Sequence, residues 1–260
     1  MELTLEVRLS LARYIANFAG QMMRDGLHRS LVSEKADGSA LTETDLAINA
    51  MVIRELIDRD ARCQVLGEES STGEIDLDRP TWVVDPIDGT KPFSAGVGLS
   101  TFALSYVVDG QPVVSVVADP WTKNLYAATA ESPTTRNGSP VRVCPSSLSA
   151  AAVAFETPSP LISVLRPELR HVFAFGASVI SGAAVASGGL SALCFGPGKP
   201  WDIATTALLV RQAGGVVISR DNLDLHFAEP RVPELVAAAT PELAEQLLER
   251  WRAFEAQSKS

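Results

Sequence analysis

The chain has 260 residues, 46% hydrophobic and 20% charged, with 22 basic against 31 acidic side chains and a formal charge of −9. That length supports one large domain or two packed lobes with real cores, and the acidic balance argues against general binding to nucleic acid or anionic membrane. No run approaches the roughly 18 apolar residues of a membrane span, and the opening "MELTLEVRLSLARY" carries acids where a secretory signal needs a basic end, so a cytoplasmic protein is expected.

Apolar residues at helical spacing, among them Leu5, Leu9, Ile15 and Phe18, predict a helix over Leu3 to Met23. After a polar turn around Ala36–Ser39, "LTETDLAINAMVIRELID" opens a second helix, with Thr42 and Asp45 spaced as a capping box. "CQVLGEES" is a short apolar run ending in acids, and in "WVVDPIDGTKPF" Trp82, Val83 and Val84 read as a buried strand. Three β-rich runs follow through residue 130, turned at Asp109-Gly110 and at "DPWTKN", and another Asn-Gly turn stands in "RNGSPVRV": an antiparallel meander. The Pro/Ser-rich "CPSSLS" marks a boundary near residue 148, which divides the chain into lobes at 1–148 and 149–260. Beyond it "AAVAF", "HVFAF", "LSALCFG" and "VVIS" read as strands, alternating with helices at Ser178–Ala186 and Ile203–Ala213. The tail "TPELAEQLLERWRAFEAQ" is an amphipathic helix with Leu243, Leu247 and Trp251 on one stripe, packing on its own domain. Cys63, Cys144 and Cys194 lie far apart and read as buried reduced thiols.

Glu68, Asp85, Asp88 and Asp202 stand where periodic structure stops, and Glu69 adjoins the first. Acids beside an apolar core are costly unless something pairs with them. Hard cations such as Mg²⁺ take carboxylate and carbonyl oxygens, whereas His28, His171 and His226 are scattered without the spacing of a zinc site. Two residues separate the aspartates of "DPIDGT", which fits neither the alternate acids of an EF-hand loop nor the single-residue spacing of a covalent aspartyl phosphatase. Two features keep two readings each. Asp202 is a helix N-cap or a metal ligand, and Gly89-Thr90 is a tight turn or a place where backbone amides approach a phosphate.

Three segments in order, "GEES" at 67–70, "DPIDGT" at 85–90 and "WDIATTALLVRQAGG" at 201–215, together with "LTETD" at 41–45, resemble the inositol monophosphatase family over most of the chain. The resemblance implies an α/β, five-layered αβαβα fold and a Mg²⁺-dependent, lithium-sensitive phosphatase of small-molecule phosphate monoesters, homodimeric as is common in the family. Matched residue by residue, Glu68, Asp85 and the carbonyl of Ile87 correspond to ligands of one metal. Asp85, Asp88 and Asp202 correspond to those of a second, and a third, weaker Mg²⁺ is expected beside Glu68. The amides of Gly89 and Thr90 are implied to take phosphate oxygens, with Glu68 and Thr90 orienting and deprotonating water and Asp45 supporting Thr90.

Substrate signals conflict. Inositol-type members commonly carry a glutamate where this chain has Phe195, a Lys at position 91 occurs in histidinol-phosphate and phosphoadenosine phosphatase branches, and "GPGKPWD" resembles the phosphoadenosine branch. Lys91 is a solvated lysine or a substrate contact, and Ser178 a helix cap or a substrate contact. The competing readings are therefore a histidinol-phosphate phosphatase, a 3'-phosphoadenosine 5'-phosphate phosphatase and, from a different class, a non-catalytic metal-binding scaffold.

Overall fold

The N-terminal periodicity becomes helix α1 (Leu5–Gly26), started by Thr4, whose hydroxyl accepts from the Val7 amide at 3.3 Å. The computed structural model describes residues 3–35, 40–60, 62–156 and 160–258, so the turn expected at 36–39 lies outside the described residues. α1 buries Leu11, Ala12, Ile15, Ala16, Ala19 and Met23. Phe18 was expected in that stripe, but one residue is about 100° of helix rotation, and Phe18 lies off the stripe, 51% exposed against Tyr14. A short hairpin, β1 (Val32–Glu34) and β2 (Ala40–Thr42), leads into α2 (Glu43–Arg59). The capping box closes as expected: the Asp45 amide donates to Thr42 Oγ1 at 3.3 Å and the Thr42 amide to Asp45 Oδ2 at 2.9 Å.

Seven strands then form one sheet in chain order. They are β3 (Gln64–Gly67), β4 (Thr81–Asp88), β5 (Thr101–Val108), β6 (Gln111–Asp119), β7 (Asn124–Thr129), β8 (Ser132–Arg136) and β9 (Ser139–Pro140), with the short helix α3 (Thr90–Ser94) after β4. Only β3 and β4 run parallel; the rest is the antiparallel meander. Its tips have φ of 49° and 73° at Asp109-Gly110 and 52° and 81° at Asn137-Gly138, the doubly positive pair of a tight hairpin turn.

After a single 3₁₀ turn at Leu148–Ala150, the chain builds a second sheet. Its parts are β10 (Ala152–Phe155), α4 (Pro160–Leu165), β11 (His171–Phe173), α5 (Ser178–Ala186), β12 (Ala192–Phe195), α6 (Ala204–Gln212), β13 (Val216–Ser219), β14 (Leu235–Ala238) and α7 (Pro241–Ser258). The strand order is β11-β10-β12-β14-β13, parallel around β10 and antiparallel on both sides of β14. The alternation of strands and helices did not reveal β14, a four-residue run in which Leu235 is followed by Val and two alanines.

Three buried clusters define the layers. Ile15, Ile48 and Leu56 of α1 and α2 pack with Trp82, Val84 and Leu104 on one face of the seven-stranded sheet. Val83, Ala103 and Val117 on its other face meet Val179 and Leu208 of α5 and α6, which also meet Leu193 and Leu235 of the second sheet. Phe155 and Cys194 on the outer face of that sheet pack against Leu161 of α4 and Leu243, Leu247 and Trp251 of α7. The architecture is αβαβα, and its middle helical layer belongs to both sheets at once. The thiols divide: Cys194 is buried, Cys63 is half-buried and Cys144, expected to be buried, is exposed, because the segment after β9 runs over the surface.

Candidate active site

In a regular strand, residues three apart face opposite sides of a sheet. β4 pairs Asp85 with Ala103 and Asp88 with Thr101, so three steps on β4 match two on β5: a bulge inserts one residue. Trp82, Val84 and Ile87 face α1 and α2, while Asp85 and Asp88 both reach a cavity of about 340 Å³ on the other side. Pro86, which has no amide hydrogen, sits inside the interruption, beyond the last residue, Val84, that pairs with β3.

The same cavity is lined by Glu68 at the end of β3, by Gly89, Thr90 and Lys91 at the start of α3, and by Asp202. Asp202 was expected in the first turn of a helix; instead it ends a 3₁₀ turn that begins at Pro200, and α6 starts at Ala204. Its Oδ2 accepts from the Lys199 amide at 3.2 Å. Gly89 has φ 86°, and a Cβ there would stand 2.8 Å from the Leu99 carbonyl, so the turn that presents the Thr90 amide requires glycine. Thr90 Oγ1 lies 3.1 Å from the Ile87 carbonyl and 3.4 Å from Asp45 Oδ1, with one proton to give. The capping role of Asp45 and its contact with Thr90 coexist on different oxygens.

Asp88 is held mostly by α5. The Ser178 amide and hydroxyl both donate to its Oδ1 at 2.9 Å, and the Val179 amide and Thr101 hydroxyl to its Oδ2 at 3.0 and 3.3 Å. The carboxylate therefore caps the N-terminus of α5 across the middle of the fold. Ser178, which kept two readings, is the first residue of α5, and its hydroxyl is used on Asp88 rather than pointing free into the cavity.

Asp85 has no such support: it is 1% exposed and its Oδ1 has no hydrogen-bond partner. Burial, then the charges of Glu68, Asp88, Asp202 and Asp45, push its carboxyl well above the ordinary value. Burial likewise pushes Asp88 up to about 6 and, with the charge of Asp88, Asp202 up to about 7. Among the described residues no three acid, histidine or cysteine side chains are gathered tightly enough to enclose a cation as they stand. Lys35 Nζ engages Glu68 at 2.6 Å and Glu69 at 2.7 Å, and donors already surround Asp88. An orphaned carboxylate oxygen among all-oxygen donors fits a hard divalent ion and nothing softer.

The family model described as the inositol monophosphatase family matches residues 4–255. The chain belongs to that family. Inositol monophosphatase 1 of Solanum lycopersicum is 30% identical over 263 residues, covering 95% of each chain. Among solved structures, a staphylococcal inositol monophosphatase-1 soaked in LiCl as an inhibitory complex superposes with TM-score 0.88 at 22% identity, covering 96% of both chains. An IMPase/NADP phosphatase complexed with Mg²⁺ and phosphate gives 0.86 at 22%, covering 95% of this chain and 96% of the other. At those identities the structures establish the shared fold. As an inositol monophosphatase family member the chain is a phosphoric monoester hydrolase acting on small phosphorylated molecules.

Within this family member, Lys91 is exposed at the rim of the cavity and Phe195 is a buried part of its wall. Two residues were missed. Lys35, on the loop after β1, had no periodic signal to set it apart. Glu156 follows the apolar run of β10, as Glu68 follows that of β3, and this shared pattern of an acid just past a strand end was the available clue. Burial, then the charge of Asp88, pushes Glu156 up to about 8.

Proposed function

We propose that the chain hydrolyses a small-molecule phosphate monoester with Mg²⁺ held by Glu68, Asp85, Asp88, Asp202 and the Ile87 carbonyl, two ions per subunit and a third, weaker one beside Glu68. The observation that carries the reading is the Asp85 carboxylate, buried with an unpartnered oxygen among the charges of Glu68, Asp88, Asp202 and Asp45. When bound, the ions neutralise the phosphate dianion and lower the pKa of a coordinated water. The chain's own residues do the rest. Gly89 and Thr90 offer backbone amides at the start of α3 to phosphate oxygens. Glu68 accepts the proton of the attacking water, and Thr90, its own proton given to Asp45, accepts a hydrogen bond that aims that water. The bulge in β4 sets Asp85 and Asp88 side by side, and α5 fixes the second. Lys35 must release Glu68 for a cation to reach it.

The lobes at 1–148 and 149–260, a homodimer and a cytoplasmic location complete the proposal; sedimentation of the purified chain tests the dimer. No described helix is long and apolar enough to cross a membrane. The deciding assay is phosphate release with Mg²⁺, against an EDTA control, from inositol 1-phosphate, histidinol phosphate, fructose 1,6-bisphosphate and phosphoadenosine phosphate. Mg²⁺-dependent turnover is expected on at least one. Metal binding with no turnover on any phosphate ester would leave a scaffold instead.

A further inference from the structure

Glu156 is the acid in the cavity that no catalytic step uses. β10 and β12 are parallel neighbours with Phe155 opposite Cys194, so Glu156 and Phe195 are adjacent at the strand ends that open into the cavity. Glu156 Oε1 is fully shielded and has no hydrogen-bond partner among the described residues. Ser181 is within hydrogen-bonding reach of the carboxylate and partly offsets the rise in its pKa, but its single proton is shared with the Ala177 carbonyl at 2.9 Å and leaves Oε1 without a donor. The other hydroxyls lining the cavity are committed as well, Ser178 to Asp88 and Thr90 to Ile87 or Asp45, and Lys91 is turned to solvent at the rim. An acceptor buried this way is costly unless a donor arrives. Among the described side chains lining the cavity none is left to supply that donor, and the cavity's occupant can. The metal and phosphate end of the cavity takes Glu68, Asp85, Asp88, Gly89 and Thr90 from β3, β4 and α3 and Asp202 from the turn before α6, whereas Glu156 and Phe195 stand at strand ends of the second sheet, where the alcohol half of a bound phosphate ester would meet them.

We propose that Glu156 is a specificity-determining residue that accepts a hydrogen bond from a donor on the leaving group of the substrate, a ring hydroxyl of a polyol phosphate or the ammonium of an amino-alcohol phosphate, while Phe195 covers the apolar face beside it. The inference rests on the phosphatase reading and deepens it. The donor makes the leaving group recognisable before any bond to phosphorus breaks, so its loss falls on binding more than on the chemical step.

The test compares Glu156→Leu and Glu156→Gln with the wild-type chain on inositol 1-phosphate, histidinol phosphate and the donor-free p-nitrophenyl phosphate. Glu156→Leu is expected to lower kcat/KM on the preferred donor-bearing substrate roughly tenfold to a hundredfold, mainly through KM, and at least about ten times more than on p-nitrophenyl phosphate. Glu156→Gln keeps an acceptor oxygen without the charge. Recovery by Gln identifies a hydroxyl as the donor, and a loss as deep as that of Leu, greatest on histidinol phosphate, identifies an ammonium. Melting midpoints in Mg²⁺ separate these effects from misfolding. Equal losses on all three substrates, or no loss, in a folded variant of an active enzyme would overturn the role of Glu156 alone. A wild-type chain inert on every phosphate would overturn the phosphatase reading and this inference with it.

Discussion

Asp85→Asn removes one charge from the centre of the site and keeps the shape of the side chain. Asp85 is 1% exposed, its Oδ1 has no partner, and burial with the neighbouring acids holds its carboxyl well above the ordinary 3.8. An acid whose pKa is raised by folding binds its proton more tightly in the native than in the unfolded chain. Its penalty is absent below about pH 3.8, grows as pH rises toward the native value, and is fully present above it. Asparagine cannot ionise and escapes the penalty, although its amide is still poorly partnered, so the net gain is taken as about 1–3 kcal/mol, the cost of one unsatisfied buried group. For a chain of this size each kcal/mol is worth about 2–4 °C, which puts the metal-free variant roughly 2–12 °C above wild type at pH 8, the difference shrinking toward pH 5. With Mg²⁺ at about a thousand times its Kd the wild type gains about 4.1 kcal/mol and the order reverses. Phosphate release by the variant falls at least about a hundredfold. Melting in EDTA and in Mg²⁺ at both pH values, beside the activity assay, reads all of this. A metal-free variant that melts below wild type at pH 8 would refute the claim that Asp85 is an unrelieved buried charge.

Asp88 and Asp202, pushed up to about 6 and about 7, give the metal-free wild type the same sign. Its melting midpoint should fall from pH 5 to pH 8 and flatten when Mg²⁺ is added, and a midpoint that rises over that range in EDTA contradicts the charge arrangement. Asp88→Ala should behave oppositely to Asp85→Asn: the Ser178 and Val179 amides lose their acceptor, at a cost of about 2–4 kcal/mol in urea unfolding. A loss under about 0.5 kcal/mol would mean that water replaces the carboxylate at the start of α5. Gly182→Ala drives a methyl group into the Thr206 side chain where α5 and α6 pack, and should cost about 1–3 kcal/mol by overpacking. Because that layer serves both sheets, its unfolding should stay a single transition in calorimetry, and two separated transitions would show lobes that fold independently.

Local signals in the sequence were strong wherever one residue's requirement decided the outcome. The Asp-Gly and Asn-Gly turns, the Thr42–Asp45 box and the stripe of Leu243, Leu247 and Trp251 each depend on neighbours within a few positions, and each formed as read. What depended on distant partners was not readable. Phe18 has helical spacing but lies off the buried face, which is set by where the seven-stranded sheet sits. The strand β14 is made by its place between β12 and β13, not by any pattern of its own. In the site, the acids at the ends of β3 and β4 stood out because each interrupts an apolar run. Glu156 follows β10 in the same way, but no second acid or glycine comes after it to set it apart. That Ser178 serves Asp88 could not be seen at all, since 90 residues separate them.

The fold and the chemistry are joined by the different treatment of two aspartates three residues apart. Asp88 is satisfied by the N-terminus of a helix that is itself locked between two sheets, so α5 holds one carboxylate in place whether or not a cation is present. Asp85 receives nothing comparable from the protein. Were both fully hydrogen-bonded, the folded chain would be more stable, yet a cation would have to break those bonds to enter. Were neither, four acids would repel one another with no fixed member to set the geometry. One pinned carboxylate and one left wanting combine position with affinity, and the bulge that Pro86 occupies is what brings both to the same side of the sheet.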